Sequence, residues 1–412
     1  MIEYSVDQLS NGLKVIVHED PTVQTAVLNI IYNVGSKDED SSKTGFAHLF
    51  EHLMFGGSKH APDFDNLLQE AGGENNAFTS PDITNYYMTL PSANLETAFW
   101  LESDRMAHLV LNPDTLEVQR KVVIEEFKQR YLNQPYGDVW LHLRPLAYKE
   151  NSYSWATIGK EISHIEDATL EDVQHFFSTY YVPNNAALVL GGNVTREKAL
   201  AYAEKYFGSI PAGKEINRQI KTEPKQTEKR TLTVKAKVPQ RAFYKVYHMP
   251  ARMDKDYYAT DLLSDILGRG KSSRLHLKLV VEKKMMSNIG SYVTGSFMPG
   301  LLVVSGRINE PYSFEDIENE IQKVIEEIIS EGISKTELEK VKNQAEASIV
   351  FGRIETLEKC ISLAYGEVLG DVDLVNSELD QVLAVTNEDI QRVSKEVLVD
   401  TNASVLYYDI EK

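Results

Sequence analysis

Across residues 45–57, apolar side chains recur with helical spacing. Phe46, Leu49, Phe50, Leu53 and Met54 follow an i, i+3, i+4, i+7, i+8 rhythm, which lets a helix bury one face. The other face carries His48, Glu51 and His52, and Gly56-Gly57 offers a stop. Apolar, β-branched runs predict strands over residues 13–17, 26–32, 232–238 and 242–247. Asn112-Pro113-Asp114 starts a further helix, with Pro in the first helical position. That helix runs through Leu116, Val122, Val123, Ile124, Glu125, Glu126 and Phe127 to about Tyr131.

The pattern repeats. At an offset of 217, Thr169-Leu170-Glu171-Asp172 and Val182-Pro183-Asn184-Asn185-Ala186 fall on Thr386-Asn387-Glu388-Asp389 and Val399-Asp400-Thr401-Asn402-Ala403. Each copy reads as a capped helix, a turn and a strand, so the chain is an internal duplication. Residues 213–230 are polar and Pro-containing, and read as a linker. The expected division is a metal-bearing half over 1–212 and a homologous half over 231–412. Strands then helices in each half give an α+β layout, with helices on a mostly antiparallel sheet. The second copy has Tyr258-Ala259-Thr260-Asp261-Leu262 where the first has its histidines. It cannot repeat their chemistry.

Composition narrows the class. The chain has 412 residues and a net charge of −18, which argues against nucleic-acid binding. Residues 1–210 carry 29 acidic and 15 basic side chains, so the acid sits mainly with the His motif. Basic peptides are the expected ligands of such a field. No apolar run is long enough to span a bilayer. Cys360 is the one cysteine, excluding an internal disulfide and a cysteine-built zinc site. With an N-terminus lacking signal-peptide features, this predicts a cytoplasmic setting, or a periplasmic one if a leader has been removed.

His48-x-x-Glu51-His52 is where the chemistry is concentrated. A single helical histidine is usually structural. Two imidazoles four apart share one face and can take two corners of a zinc tetrahedron. Glu51 lies on the same side, within reach of a water at that metal. Glu125 and Glu126 both offer a third ligand, but they point about 100° apart on a helix, and spacing does not choose between them.

With these motifs, with Asn76-Ala77-Phe78-Thr79 and Thr84-Asn85-Tyr86-Tyr87, and with the two-copy layout, the chain resembles the pitrilysin family of inverzincin metallopeptidases. This family includes insulysin and the mitochondrial processing peptidases, and the short bacterial members are the most similar. The resemblance covers essentially the whole chain. It implies a zinc endopeptidase whose two halves enclose a chamber, with one Zn2+ held by His48, His52 and Glu126 and with Glu51 as general base. It also implies that residues 76–79 are an edge strand holding the substrate backbone, with Tyr86 in support.

Two departures stand out. Gln119 occupies the position of a supporting Glu. Val281 and Asn288 stand where single-chain members have an Arg and a Tyr that reach substrate, and an alignment slip recruiting Tyr292 would still lack the paired Arg. The resemblance therefore implies a homologous partner chain that supplies Arg and Tyr.

Overall fold

The computed structural model describes residues 1–411, so the expected end of the second half at residue 412 lies outside the described residues. The chain forms two compact units. The first comprises Met1–Lys128, Trp155–Lys221 and Val350–Ser377. Its strands are β1 (Ser5–Gln8), β2 (Lys14–Glu19), β3 (Thr25–Tyr32), β4 (Glu74–Thr79), β5 (Thr84–Pro91) and β6 (Ala186–Gly192). They lie in the order β1-β2-β6-β3-β5-β4. β2 and β6 are parallel and every other neighbour is antiparallel. β6 is buried throughout and β3 nearly so, which explains their unbroken apolar runs. β4 is the edge, and its side chains are half-exposed or exposed.

The second unit comprises Gln129–Ser154, Thr222–Ile349 and Glu378–Lys412. Its strands β7 (Arg230–Ala236), β8 (Ala242–His248), β9 (Met286–Val293), β10 (Leu301–Ile308) and β11 (Ala403–Ile410) lie in the order β7-β11-β8-β10-β9. This reproduces β2-β6-β3-β5-β4, down to the single parallel pair β7–β11. The duplication is in register at 217 residues. Leu170–Tyr180, the turn Pro183–Asn185 and the start of β6 match Asn387–Val397, Asp400–Asn402 and the start of β11. Both capping boxes form. In both copies an asparagine closes the turn: Asn185 Nδ2 donates to the Tyr180 carbonyl at 2.8 Å and Asn402 Nδ2 to the Val397 carbonyl at 2.9 Å.

The units do not coincide with the halves of the sequence. The helix Val139–Ala147 belongs to the second unit, where Val139, Leu143 and Ala147 pack against Ala242, Val246, Val303 and Leu406. Its counterpart 217 residues on, the helix Thr356–Leu369, lies on β6 and β3 of the first unit. A glycine makes that packing possible: a Cβ on Gly191 would stand 2.3 Å from Cys360 Sγ. The 213–230 stretch carries no helix or strand before β7, yet it is tied down along its length. Arg218 bonds Asp38 and Asn185 in the first unit. In the second unit Glu223 accepts the N–H groups of Lys149, Glu150 and Asn151, and buried Gln226 donates to the Ala403 carbonyl.

Gly191→Ala should cost about 1–3 kcal/mol through overpacking. Adding Cys360→Ala, which vacates the contested space, should recover much of the loss. A double-mutant cycle by urea denaturation reads the coupling. Additive effects would show that the helix does not sit on β6 this closely.

Candidate metal centre

The helix Phe46–Leu53 begins at Gly45, whose φ of 91° suits glycine. A Cβ there would also meet the Ile158 carbonyl oxygen at 2.6 Å. Glu39 holds the free N–H groups of the first turn, which a helix start leaves unsatisfied. Its carboxylate accepts from Gly45 N at 3.0 Å, Ala47 N at 2.9 Å and Trp155 Nε1 at 3.0 Å. Burial pushes the Glu39 carboxyl up to about 8, against the pull of those donors. The apolar face is seated by Phe50, which stacks on Phe176 at 4.9 Å and lies 5.2 Å from Tyr181. Tyr86 sits in the core beneath, its hydroxyl donating to the Phe50 carbonyl at 3.4 Å and shared with Tyr181 at 3.2 Å. Buried Arg105 lies against the rings of Tyr86, Phe55 and Phe64, paired with Glu102.

The third candidate ligand comes from the helix Pro113–Phe127. Asn112 caps it, accepting from Asp114 N and Thr115 N, and buried Leu116, Val123 and Phe127 fix its rotation. This rotation separates the two carboxylates that spacing left open. Glu125 points outward to Lys128 at 2.7 Å. Glu126 faces the histidines, Oε2 at 3.2 Å from His52 Nε2 and Oε1 at 3.7 Å from His48 Nε2. Tetrahedral corners with bonds of about 2.0–2.1 Å lie roughly 3.3 Å apart. The three donor groups, all within 4.8 Å of one another, therefore fit a zinc ion.

Glu51 is tied to the edge strand: Thr79 Oγ1 donates to Glu51 Oε2 at 2.6 Å. Asn76, Ala77 and Phe78 precede Thr79 along β4, and the Ala77 N–H donates to Asn76 Oδ1 at 2.8 Å. Gln119 lies two turns before Glu126 and lines a cavity of about 320 Å3 with Phe55, Phe64, Asp63, Asp65 and Asp114. The structure thus gathers His48, His52, Glu126, Glu51 and Thr79, and puts Tyr86 beneath them. Val281 and Asn288 lie in the second unit, Val281 exposed and Asn288 Oδ1 accepting from Arg307 N. Sequence reasoning missed Glu39 and Trp155. The loop Gly35-Ser36-Lys37-Asp38-Glu39-Asp40 reads as solvated, although Ser36, Lys37 and Glu39 are buried.

Comparison with known proteins gives the family. Residues 14–160, which include His48, Glu51, His52 and Glu126, match the family profile described as insulinase (peptidase family M16). Residues 167–345 match the profile described as peptidase M16 inactive domain. Zinc protease PqqE of Helicobacter pylori is 31% identical over 405 residues, covering 97% of this chain and 91% of that protein. A crystal structure of a protease from Helicobacter pylori superposes with a TM-score of 0.94 at 30% identity, covering 99% of this chain and 100% of that one. A peptidase M16 inactive domain from Pseudomonas fluorescens has the same fold, with a TM-score of 0.90 at 18% identity, covering 100% of this chain and 98% of that one. The chain belongs to the M16 family of pitrilysin- and insulinase-like proteins. Among its described residues no helix is long and apolar enough to cross a membrane.

A carboxyl raised on folding contributes stability that is complete below its unfolded value, near 4.5, and lost as pH rises through about 8. Urea midpoints should therefore fall between about pH 5 and pH 8, and Glu39→Gln should flatten part of that slope. Equal slopes in the two proteins would contradict the assignment. Glu39→Ala, which leaves three donors unpaired, should cost about 1–3 kcal/mol.

Proposed function

We propose that this chain is a zinc-dependent endopeptidase acting on extended peptides. The observation that carries the reading is the convergence of His48, His52 and Glu126 beside a Glu51 tethered to an edge strand. His48, His52 and Glu126 would hold one zinc. When bound, zinc supplies Lewis-acid chemistry, acidifying a water and polarising the scissile carbonyl. Glu51 takes a proton from the attacking water and delivers it to the leaving amine as the C–N bond breaks. Thr79 keeps the Glu51 carboxylate turned toward the edge strand. Residues 76–79 accept the substrate as an added strand, and the Ala77 N–H exchanges Asn76 Oδ1 for a substrate carbonyl. Asp63, Asp65 and Asp114 around an apolar cavity favour basic side chains, whose stems pack while their charges meet carboxylates.

His52→Ala and Glu126→Gln should each lose the zinc by elemental analysis, and Glu125→Gln should keep it. Glu51→Gln should keep zinc and fold but lose about 10²–10⁴-fold in turnover. Full zinc occupancy in His52→Ala, or near-normal turnover in Glu51→Gln, would refute the respective role.

Val281 and Asn288 support the further reading that this is the metal-bearing subunit of a heterodimer. Val281 offers neither charge nor donor, and Asn288 has neither the reach nor the hydroxyl of a Tyr; losing one oxyanion donor costs about 10²–10³-fold. The isolated chain should cleave peptides weakly. A homologous chain carrying Arg and Tyr should restore turnover at equal amounts, favour Lys-rich over Glu-rich peptides, and sediment with it at about twice the single-chain mass. Full activity alone, with no gain on mixing, would favour a self-sufficient homodimer. The inactive-domain match motivates the remaining alternative, a non-catalytic binding subunit, but it covers only residues 167–345, beyond the proposed ligands. With Cys360 as the one cysteine, the chain has no internal disulfide to call for an oxidising compartment, and its proposed setting is reducing and cytoplasmic.

A further inference from the structure

The loop that leaves the helix Phe46–Leu53 carries Ser58, Lys59 and His60, and it is stitched to the last turn of the helix Leu95–His108. Lys59 N donates to the His108 carbonyl at 3.0 Å, Val110 N to the Gly57 carbonyl at 3.2 Å, and Ser58 bridges Leu109. Gly57 makes the turn at a φ of 92°, with no room for a Cβ beside the Pro62 carbonyl. Two residues of the neighbouring helix, Asp104 and His108, stand four apart and so share a face. Asp104 is 5% exposed. Its Oδ2 accepts from Ser58 Oγ at 2.5 Å and His60 N at 2.9 Å, and its Oδ1 lies 2.6 Å from His60 Nδ1. The His60 and His108 rings meet edge to face, 5.4 Å apart. Donor atoms of His60, Asp104 and His108 all lie within 4.8 Å of one another.

A loop-capping role explains the bonds from Ser58 and the His60 backbone to Asp104. It does not explain why a second imidazole closes on the same carboxylate. The one ion-pair partner of Asp104 among the described residues is His60. Asp104 accepts all three of the bonds from Ser58 and His60. Among the described residues it has no Lys or Arg partner, since neighbouring Arg105 is paired with Glu102. An almost buried carboxylate between two exposed imidazoles is a candidate cation site. Two nitrogens and one oxygen select zinc, nickel, cobalt or copper over calcium or magnesium.

We propose that His60, Asp104 and His108 form a second transition-metal site, with a ligand set separate from His48, His52 and Glu126. The ion replaces the proton shared by His60 and Asp104, and solvent fills its remaining positions on the exposed side of His60. Ser58 and the His60 backbone hold the carboxylate in place, the outer-shell arrangement that metal sites use. Bound there, the ion would cross-link the loop that follows the His48 helix to the end of the Leu95–His108 helix.

Titration of the full, metal-stripped chain with Co2+ or Zn2+ by equilibrium dialysis tests this. Two equivalents should bind to the parent chain. His48→Ala/His52→Ala should bind one, and adding His108→Ala should abolish it. Ser58→Ala should weaken the second equivalent by about 10–100-fold. Both equivalents should weaken as pH falls, because protons compete for the imidazoles. Cu2+ bound to the His48→Ala/His52→Ala chain should show nitrogen hyperfine splitting that changes in His60→Ala. Since the imidazoles of His60 and His108 face solvent, circular dichroism of their variants should match the parent. If it does not, the copper spectrum of the otherwise unaltered chain decides. A single equivalent in the parent chain that His48→Ala/His52→Ala abolishes, or a second one indifferent to both His60→Ala and His108→Ala, would overturn the site. Loss of the His48 equivalent alone would instead refute the zinc reading above and leave this one standing.

Discussion

The site depends on keeping an eight-residue helix wound. A segment that short does not persist alone in water, because nucleation costs more than its few hydrogen bonds return. His48 and His52 share a face only while Phe46–Leu53 stays helical. The fold therefore grips the helix at three points. Glu39 takes the N–H groups of its first turn, Phe50 is set among Phe176, Phe177 and Tyr181, and Tyr86 reaches the Phe50 carbonyl. Each grip comes from a different part of the first unit. The geometry of the two imidazoles is thus a property of that whole unit rather than of the motif.

This explains which features were legible in the sequence. The His motif, the Asn112 cap and the paired capping boxes are local patterns, and local physics is written in short stretches of chain; the β4 edge came from the resemblance. Glu39 lies in a run of small and charged residues, which by composition belongs to solvent. Only tertiary packing puts Trp155 over it. The choice between Glu125 and Glu126 needed the resemblance, because the rotation of their helix is set by what Leu116, Val123 and Phe127 bury against. His60 and His108 stand 48 positions apart in the numbering, and no periodicity links them. The exchanged helices were hidden for the same reason. Amphipathic spacing says that Thr356–Leu369 covers a sheet, and the pairing of Gly191 with Cys360 says which one.

The two copies show what the scaffold needs and what it can discard. Both keep the capping box, the turn-closing asparagine and one parallel strand pair within an antiparallel sheet. These satisfy the backbone and set the register. The helix Tyr257–Gly268 is buried along almost its entire length, whereas Phe46–Leu53 turns His48, Glu51 and His52 to its open side. The second copy, which lacks the His motif, buries the corresponding helix.

The exchange of Val139–Ala147 for Thr356–Leu369 bears on the origin of the chain. A half-length protein with this topology has one sheet face uncovered and one helix with nothing to cover. Two copies would complete each other as a swapped pair, the low-cost route to a symmetric dimer. Joining the copies through residues 213–230 turns that bimolecular assembly into an intramolecular one, with the second half present at a fixed, high effective concentration. The cover of each sheet then no longer depends on dilution. Once joined, the copies were also free to differ, and one could carry metal ligands that a self-paired ancestor would have had to display twice.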